Sequence, residues 1–382
     1  MKKILFVTGT RADYGKLKSL MRKVEQHPSF ELHIFVTGMH LLSRYGATYK
    51  EVEKDGFSNN IYKFVNQKLN QPMDITLSNT IMGFSNYVSE TKPDLIIVHG
   101  DRIEALAGAI VGAINNIQVA HIEGGEVSGT IDESIRHAIT KFSHTHLVAN
   151  DEARRRVIQL GEKEESIYVI GSPDIDIMNS KDLPSIIMAK HRYEIDFEKY
   201  GILMYHPVTT ETEQIEQNIK EVVDAVIDSK RQFIVIYPNN DEGSQLILNE
   251  FARLEQNKNF RIFPSIRFEY FLTLLSKANF VIGNSSVGIR EAEVYGVPTI
   301  DIGNRQQGRY DISRRTSIIH VNEIKSSILS AIQQVSGLNV PKCASYGNGD
   351  SAERFINILN ERFIWEGSPQ KRFVSLSVPS MN

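Results

Sequence analysis

The ionisable side chains of this chain gather in clusters, and nearly every cluster directly follows an apolar run. In the first half these are Arg11 and Asp13 in "VTGTRADYGKL", His99, Asp101 and Arg102 in "VHGDRIEA", and His121, Glu123 and Glu126 in "AHIEGGEVSG", with Asp132 and Glu133 opening the next helical segment. In the second half they are His206 in "YHPVT", Asn239 and Asp241 in "YPNND", Asn284, Ser285 and Ser286 in "GNSSVGIREA", and Arg305 in "GNRQQGR". Several carboxylates and a histidine converging on one cleft are the raw material of general acid–base chemistry. Arginines and hydroxyls at strand ends suit an anionic ligand.

Each residue also has a plainer structural reading. Asp101 could cap a helix starting at Ile103, Asp132 could cap the helix behind "DESIR", and Asp13 could be a turn residue. Glu123 resists such a reading, because a carboxylate straight after the buried run "VAHI" and before two glycines needs a partner or a purpose. His121 lies inside that run and reads as a satisfied core histidine. His137, His144 and His146 invite a metal reading, but no cysteine or HExxH spacing accompanies them, so no metal site is expected. Ser285 and Ser286, at the end of one strand-like run and entering a helix, offer hydroxyls and free N–H groups to a phosphate, with Glu291 further along for a ribose. No GxxxxGK[ST] segment occurs, and the first turn "GTRADYG" lacks the GxGxxG fingerprint, which argues against a P-loop hydrolase and a dinucleotide oxidoreductase.

The elements that must position these residues alternate regularly. "KILFVTG", a helix expected from about Gly15 to His27, "ELHIFVTG", "DLIIVHG", "IQVAHIEGG", "THLVAN" and, after a charged helix beginning near Asp151, "SIYVIGSPDID" fill the first half; "GILMYHP", "QFIVIYPNND", "FRIFPS", "NFVIGNSS" and "VPTIDIG" fill the second. The apolar runs are continuous rather than alternating, as in parallel sheets covered by helices on both faces. The pattern predicts an α/β protein of two Rossmann-like domains facing across a cleft, residues 1–176 and 177–349. The ligand is expected at the carboxyl ends of the strands. A helix at 350–366 could cross back onto the first domain, and 367–382, "GSPQKRFVSLSVPSMN", reads as a poorly anchored tail.

Length agrees with two domains: 382 residues against roughly 150–200 per domain. A net charge of -3 gives no electrostatic reason for nucleic acid or an anionic membrane. The single cysteine, Cys343, excludes an intrachain disulfide and a cysteine-based zinc site, and fits a reducing cytoplasm. The opening "MKKILFVTGT" is interrupted after five apolar residues and reads as a strand rather than a signal peptide, and no run is long enough to span a bilayer.

Together, "TGTRADYGKL", "VHGDRIEALAGA", "HIEGGEVSGTIDESIRHAITKFSH", "GSPDID", "YHPVT", "YPNND" and "GNSSVGIREAEVYGVPTIDIGNRQQGR" resemble the UDP-N-acetylglucosamine 2-epimerases of GT-B type fold, from Lys3 to about Ala352. Ala12-Asp13 and "NSSVG" stand where the non-hydrolysing branch has "GTRPE" and "DSGG" segments, so the resemblance is to the hydrolysing branch of sialic acid biosynthesis. It implies conversion of UDP-N-acetylglucosamine and water to N-acetylmannosamine and UDP through a glycal, with no cofactor and no metal. It also implies a cytoplasmic homodimer or homotetramer.

The same resemblance implies that Asp101, Glu123 and Asp132 are the acid–base carboxylates and His206 a fourth catalytic candidate near the diphosphate. Arg11, Arg102, Ser285 and Ser286 would hold phosphates and Glu291 the ribose, with Asn239 and Arg305 on the nucleotide side. Asp13 and Lys16 would tune or gate the cleft. Which carboxylate takes the C2 proton stays open. A hydrolysing epimerase acting on UDP-2,4-diacetamido-2,4,6-trideoxyglucose or a GDP-linked analogue is the nearest alternative. A GT-B glycosyltransferase would leave C2 untouched, and a non-catalytic sugar-nucleotide sensor would bind without turnover. The concentration of ionisable groups speaks against both.

Overall fold

The computed structural model describes residues 1–57, 60–69, 71–128, 130–310, 316–343 and 346–375, with the side chain of Ser336 also outside the description. Two all-parallel sheets form the frame. The first has seven strands: β1 (Lys2–Thr8), β2 (Phe30–Val36), β3 (Ile61–Lys63), β4 (Leu95–His99), β5 (Gln118–Ile122), β6 (Thr145–Val148) and β7 (Ile167–Val169), in the order β3-β2-β1-β4-β5-β6-β7. The second has six: β8 (Gly201–Met204), β9 (Phe233–Ile236), β10 (Phe260–Phe263), β11 (Phe280–Gly283), β12 (Thr299–Ile302) and β13 (Ile318–Val321), in the order β10-β9-β8-β11-β12-β13. Both are doubly wound α/β sheets, as the continuous apolar runs predict. Every residue of β4 and of β9 is buried, because helices cover both faces. The edge strands β3 and β13 have no counterpart among the runs picked out in the sequence. β3 is three residues long and mostly exposed, and β13 is four residues long and only partly buried, with His320 interrupting its apolar residues.

In a doubly wound sheet the chain order reverses beside the first strand, and loops on the two sides of that point diverge to leave a crevice. Here β1 lies between β2 and β4, and β8 between β9 and β11. The turns after these strands carry most of the clustered residues.

The first helix begins at Arg11 and ends at Gln26, earlier than the expected start at Gly15. Thr10 is its N-cap, and Asp13 completes a capping box. The Asp13 carboxylate accepts from Thr8 Oγ1 at 2.6 Å and from the N–H groups of Gly9 and Thr10 at 3.0 Å each. Asp13 therefore shapes the turn, which agrees with its structural reading. After β11 the expected helix is only a 3-10 turn (Ser286–Gly288) followed by a short helix, Glu291–Tyr295.

Helix Ser351–Asn360 lies on the first sheet, where Phe355 is wholly buried in one apolar cluster with Ile4, Phe6 and Leu17. Contrary to the expectation of a loose tail, the chain is anchored at Gly367, Pro369 and Lys371, while 376–382 lie outside the described residues. Gln118 Nε2 donates to the carbonyl of Gly367 at 2.7 Å. Lys371 Nζ donates to the carbonyls of Thr140, Lys141 and Ser143 at 3.2, 2.9 and 2.6 Å, and lies 2.5 Å from Glu162. A cation thus caps the C-terminus of helix Ile131–Phe142, where orphan carbonyls need donors. No helix among the described residues is long and apolar enough to cross a membrane.

Candidate active site

A cavity of about 330 Å³ lies between the carboxyl ends of the two sheets, and all eleven residues proposed from the sequence line it. They come from turns after seven strands, from helix Ile131–Phe142 and from the short helix Glu291–Tyr295.

Asp101 and Asp132 form one corner. Asp101 does not cap the helix Ile103–Ile114, whose N-cap is Arg102. Its carboxylate instead pairs with Arg136, with Arg309 Nη2 at 3.8 Å. Burial alone would push the Asp101 pKa up, but the guanidinium groups of Arg136, Arg309, Arg305 and Arg102 outweigh it and hold the group below the ordinary carboxylate value. Asp132 occupies the first turn of its helix, behind the N-cap Thr130, so it is not the cap either. Its Oδ2 meets Arg305 Nη2 at 3.4 Å. Burial and then the negative charge of Asp101 raise its pKa, which Arg305 offsets only in part. Neighbouring carboxylates driven in opposite directions are a recurring basis for separating acid and base roles.

Glu123 forms a second corner. It follows β5 with φ +65, a left-handed conformation uncommon for a non-glycine residue. Its Oε1 accepts from Ser172 Oγ at 2.9 Å and from Arg290 Nη2 at 2.8 Å. His99 Nε2 lies 3.3 Å from Oε2, and Lys16 Nζ lies 3.7 Å from Oε1. Burial opposes ionisation, but Arg290, Lys16 and His99 together hold Glu123 well below its ordinary pKa. Lys16 also meets Asp174 at 3.5 Å and Glu291 Oε1 at 3.2 Å. Glu291 Oε2 is buried with no hydrogen-bond partner among the described residues, and Glu291 is one of the residues lining the cavity.

The second half supplies His206 and the serine turn. The backbone N–H of Asn239 donates to His206 Nδ1 at 3.0 Å. A backbone N–H can only donate, so Nδ1 is the unprotonated nitrogen and Nε2 carries the hydrogen. Burial, then Arg305 and Arg102, pull the imidazole pKa well below its ordinary value. His206 is therefore a neutral hydrogen-bond donor at working pH. The Asn239 side chain is drawn to Asp241, and its Oδ1 is buried without a partner among the described residues. Ser285 Oγ accepts from Val287 N–H at 3.4 Å, and Ser286 begins the 3-10 turn beside it.

Cations ring the remaining wall. Arg11 donates to Ser265 Oγ at 2.7 Å and to Glu51 at 2.6 Å. Arg102 donates to Asn240 at 3.1 Å and lies 3.6 Å from Asp241. Arg305 Nη1 donates to the carbonyl of Asn284 at 3.2 Å. With Arg136, Arg290 and Arg309 on the same cavity, the arrangement can hold a doubly charged anion beside ionised and proton-holding carboxylates.

Arg290, Arg136 and Arg309 were not singled out from the sequence, though all three lie inside the quoted motifs. Arg136 stands four residues after Asp132 on one helix face, a readable signal. Arg290 and Arg309 become visible only when the halves meet. The three histidines considered for metal go elsewhere: His137 to Glu133 at 3.3 Å, His144 to the carbonyl of Pro369 at 2.9 Å, and His146 to Glu162 at 3.1 Å. His121 is held by Thr140 and the carbonyl of Gly100 at 3.1 and 2.8 Å, a core histidine as read. Among the described residues no group of three or more His, Cys, Asp or Glu is arranged to hold a metal ion.

Comparison with known proteins gives a consistent result. The family model for UDP-N-acetylglucosamine 2-epimerase matches residues 22–360. A "UDP-N-acetylglucosamine 2-epimerase" of Neisseria meningitidis serogroup B is 49% identical over 99% of this chain and 100% of its own length. A "UDP-N,N'-diacetylbacillosamine 2-epimerase (hydrolyzing)" of Legionella pneumophila is 35% identical over 94% of this chain and 96% of its own. The fold matches the crystal structure of Methanocaldococcus jannaschii UDP-GlcNAc 2-epimerase in complex with UDP-GlcNAc and UDP, with a TM-score of 0.79 at 22% identity, covering 94% of this chain and 99% of that one. Two facing parallel-sheet halves, a cavity lined by the clustered carboxylates and cations, and these matches make the chain a member of the UDP-N-acetylglucosamine 2-epimerase family.

Proposed function

We propose that this protein is a hydrolysing 2-epimerase that converts UDP-N-acetylglucosamine and water to N-acetylmannosamine and UDP, a step of sialic acid biosynthesis. The observation carrying the proposal is the Asp101–Asp132 pair, driven in opposite directions within a cationic cavity. In the first stage a carboxylate takes the proton from C2 while the C1–O bond breaks and UDP leaves with its electron pair, giving a glycal. In the second, water adds its oxygen to C1 and a proton returns to C2 on the opposite face. Asp132, with its raised proton affinity, is the carboxylate best suited to exchange that proton. Asp101 and Glu123 stay anionic and align the sugar and the attacking water. His206 donates Nε2–H to the departing diphosphate, where negative charge develops. Arg11, Arg102, Ser285 and Ser286 hold the phosphates, Glu291 takes ribose hydroxyls through its free Oε2, and Asn239 and Arg305 contact the nucleotide side. A cytoplasmic homodimer or homotetramer belongs to the same proposal.

The Legionella relative supports a second reading, a diacetamido sugar nucleotide as substrate. The higher identity to the Neisseria relative favours UDP-N-acetylglucosamine. The test is NMR of the purified protein with UDP-N-acetylglucosamine in deuterated water. UDP together with N-acetylmannosamine deuterated at C2 is the expected outcome. Epimerised sugar still attached to UDP would overturn the hydrolytic reading, and no UDP release from this sugar alongside release from the diacetamido sugar would select the second substrate.

A further inference from the structure

We propose that Arg290, carried by the second half, is the positioning residue of Glu123, so that this carboxylate of the first half is set for reaction only while the two halves are together. The inference rests on the functional reading above, in which Glu123 faces the reacting sugar. One guanidinium nitrogen, Arg290 Nη2, donates both to Glu123 Oε1 at 2.8 Å and to Ser172 Oγ at 2.6 Å, and that hydroxyl in turn donates to the same Oε1 at 2.9 Å. These three groups close a small ring in which the carboxylate has one orientation available. Nη1 lies 3.8 Å from Glu126, and the guanidinium carbon lies 5.0 Å from the ring centroid of Tyr346. Arg290, Glu123 and Ser172 are 6, 7 and 0% exposed.

Within its own half Glu123 keeps the Ser172 hydroxyl at 2.9 Å, and the remaining groups there do not fix its orientation. His99 Nε2, at 3.3 Å, approaches Oε2 out of hydrogen-bond alignment. Lys16 stands at 3.7 Å and is shared with Glu291 and Asp174, and Asp174 itself repels the anion. Arg290 is thus the one short, directed contact that Glu123 receives from across the cleft among the described residues. Glu291, the next residue in the chain, faces the same cavity, so the element that offers an acceptor to a ribose also carries the clamp. Nucleotide capture and carboxylate alignment are then two consequences of one docking event.

The test compares Arg290→Met and Arg290→Lys in the intact enzyme, following UDP release and UDP affinity. For Arg290→Met, kcat falls about 100-fold, as expected when a reacting group is misplaced by an ångström or so. KM and the Kd for UDP change less than about threefold, because the lost interaction matters only in the transition state. Without the guanidinium the Glu123 anion loses its main counter-charge and its protonation joins that of Asp132 on the acid limb of the kcat profile, which steepens and moves to higher pH; Arg290→Lys restores part of kcat and part of that shift. Unchanged kcat, or a loss matched by the unfolded fraction with the acid limb in place, would overturn the proposal. Where Arg290→Met folds poorly, adding Glu123→Gln removes the unpaired buried charge and is expected to recover thermal stability. Absence of that recovery would also overturn it. A wild-type enzyme that releases no UDP would defeat the functional reading alone, since the thermal coupling between the two residues is measured without turnover.

Discussion

A carboxylate is useful as a proton acceptor when its affinity for the proton lies close to the working range, and three acids of this cleft are driven in different directions. Asp101 and Glu123 are surrounded by guanidinium and ammonium groups that keep them ionised, whereas Asp132 is raised by burial and by Asp101. Asp132→Asn should therefore lower kcat by about 10²–10⁴-fold, the usual contribution of a positioned acid–base group, with UDP affinity nearly unchanged by calorimetry. The sign of the pH effect follows: a carboxylate that must be ionised to accept a proton loses activity as pH falls through its raised pKa. Arg305→Met, which removes a cation beside Asp132, should move that limb to still higher pH. Asp101 and Glu123 were legible as candidates in the sequence because each follows an apolar run, and Asp132 because it opens the helical segment behind such a cluster. Their division of labour was not, because it depends on Arg136 and Arg309, which approach Asp101 from a helix and from a loop distant in the chain.

At the scale of elements, short-range chemistry settles where helices begin and end. The first helix starts at Arg11 rather than Gly15 because Asp13 ties the turn through Thr8, Gly9 and Thr10. Thr10 and Asp13 form a T-x-x-D variant of the usual capping signature, which ends in Glu or Gln and is easily passed over. The segment after Ser286 reads as one helix because its apolar residues permit it, yet Gly288 packs so closely on Thr299 that a Cβ there would lie 2.5 Å from Thr299 Cγ2. The docked tail was illegible for another reason: its anchors are one lysine and two backbone carbonyls, and no periodicity announces them. Lys371→Met should cost about 1–2 kcal/mol through loss of the helix cap and its charge-assisted hydrogen bonds, measured by urea unfolding. Burial opposes ionisation of Glu162, but hydrogen bonds from His146, Lys141 and Lys371 hold it down to about 2, against 4.5 ordinarily. Its contribution to stability is thus present above pH 4.5 and lost as pH falls toward 2. The difference between variant and wild type should shrink over that interval, and a constant difference would count against the Glu162 contact.

The two halves meet along a seam of close approaches and ion pairs. Lys18 reaches Glu269 at 3.0 Å, Gln67 accepts from Asn240 at 2.6 Å, and the backbone of Gly15 leaves no room for a side chain against Phe268, where a Cβ would lie 2.6 Å from the phenylalanine Cβ. In an isolated helix Gly15→Ala would stabilise by up to about 1 kcal/mol. Here overpacking should reverse the sign, costing about 1–3 kcal/mol. Small-angle scattering should register a larger radius of gyration, and UDP release should slow. An unaltered radius with full activity would mean that the seam yields easily. The chain path has a further consequence, for synthesis. Phe355 sits beside Phe6 in one apolar cluster, so the half that leaves the ribosome first waits for nearly the whole chain before its core is sealed. A nascent chain stalled at residue 340 would carry all thirteen strands found among the described residues yet still expose that apolar face, a natural site for chaperone capture during translation and for degradation of truncated products.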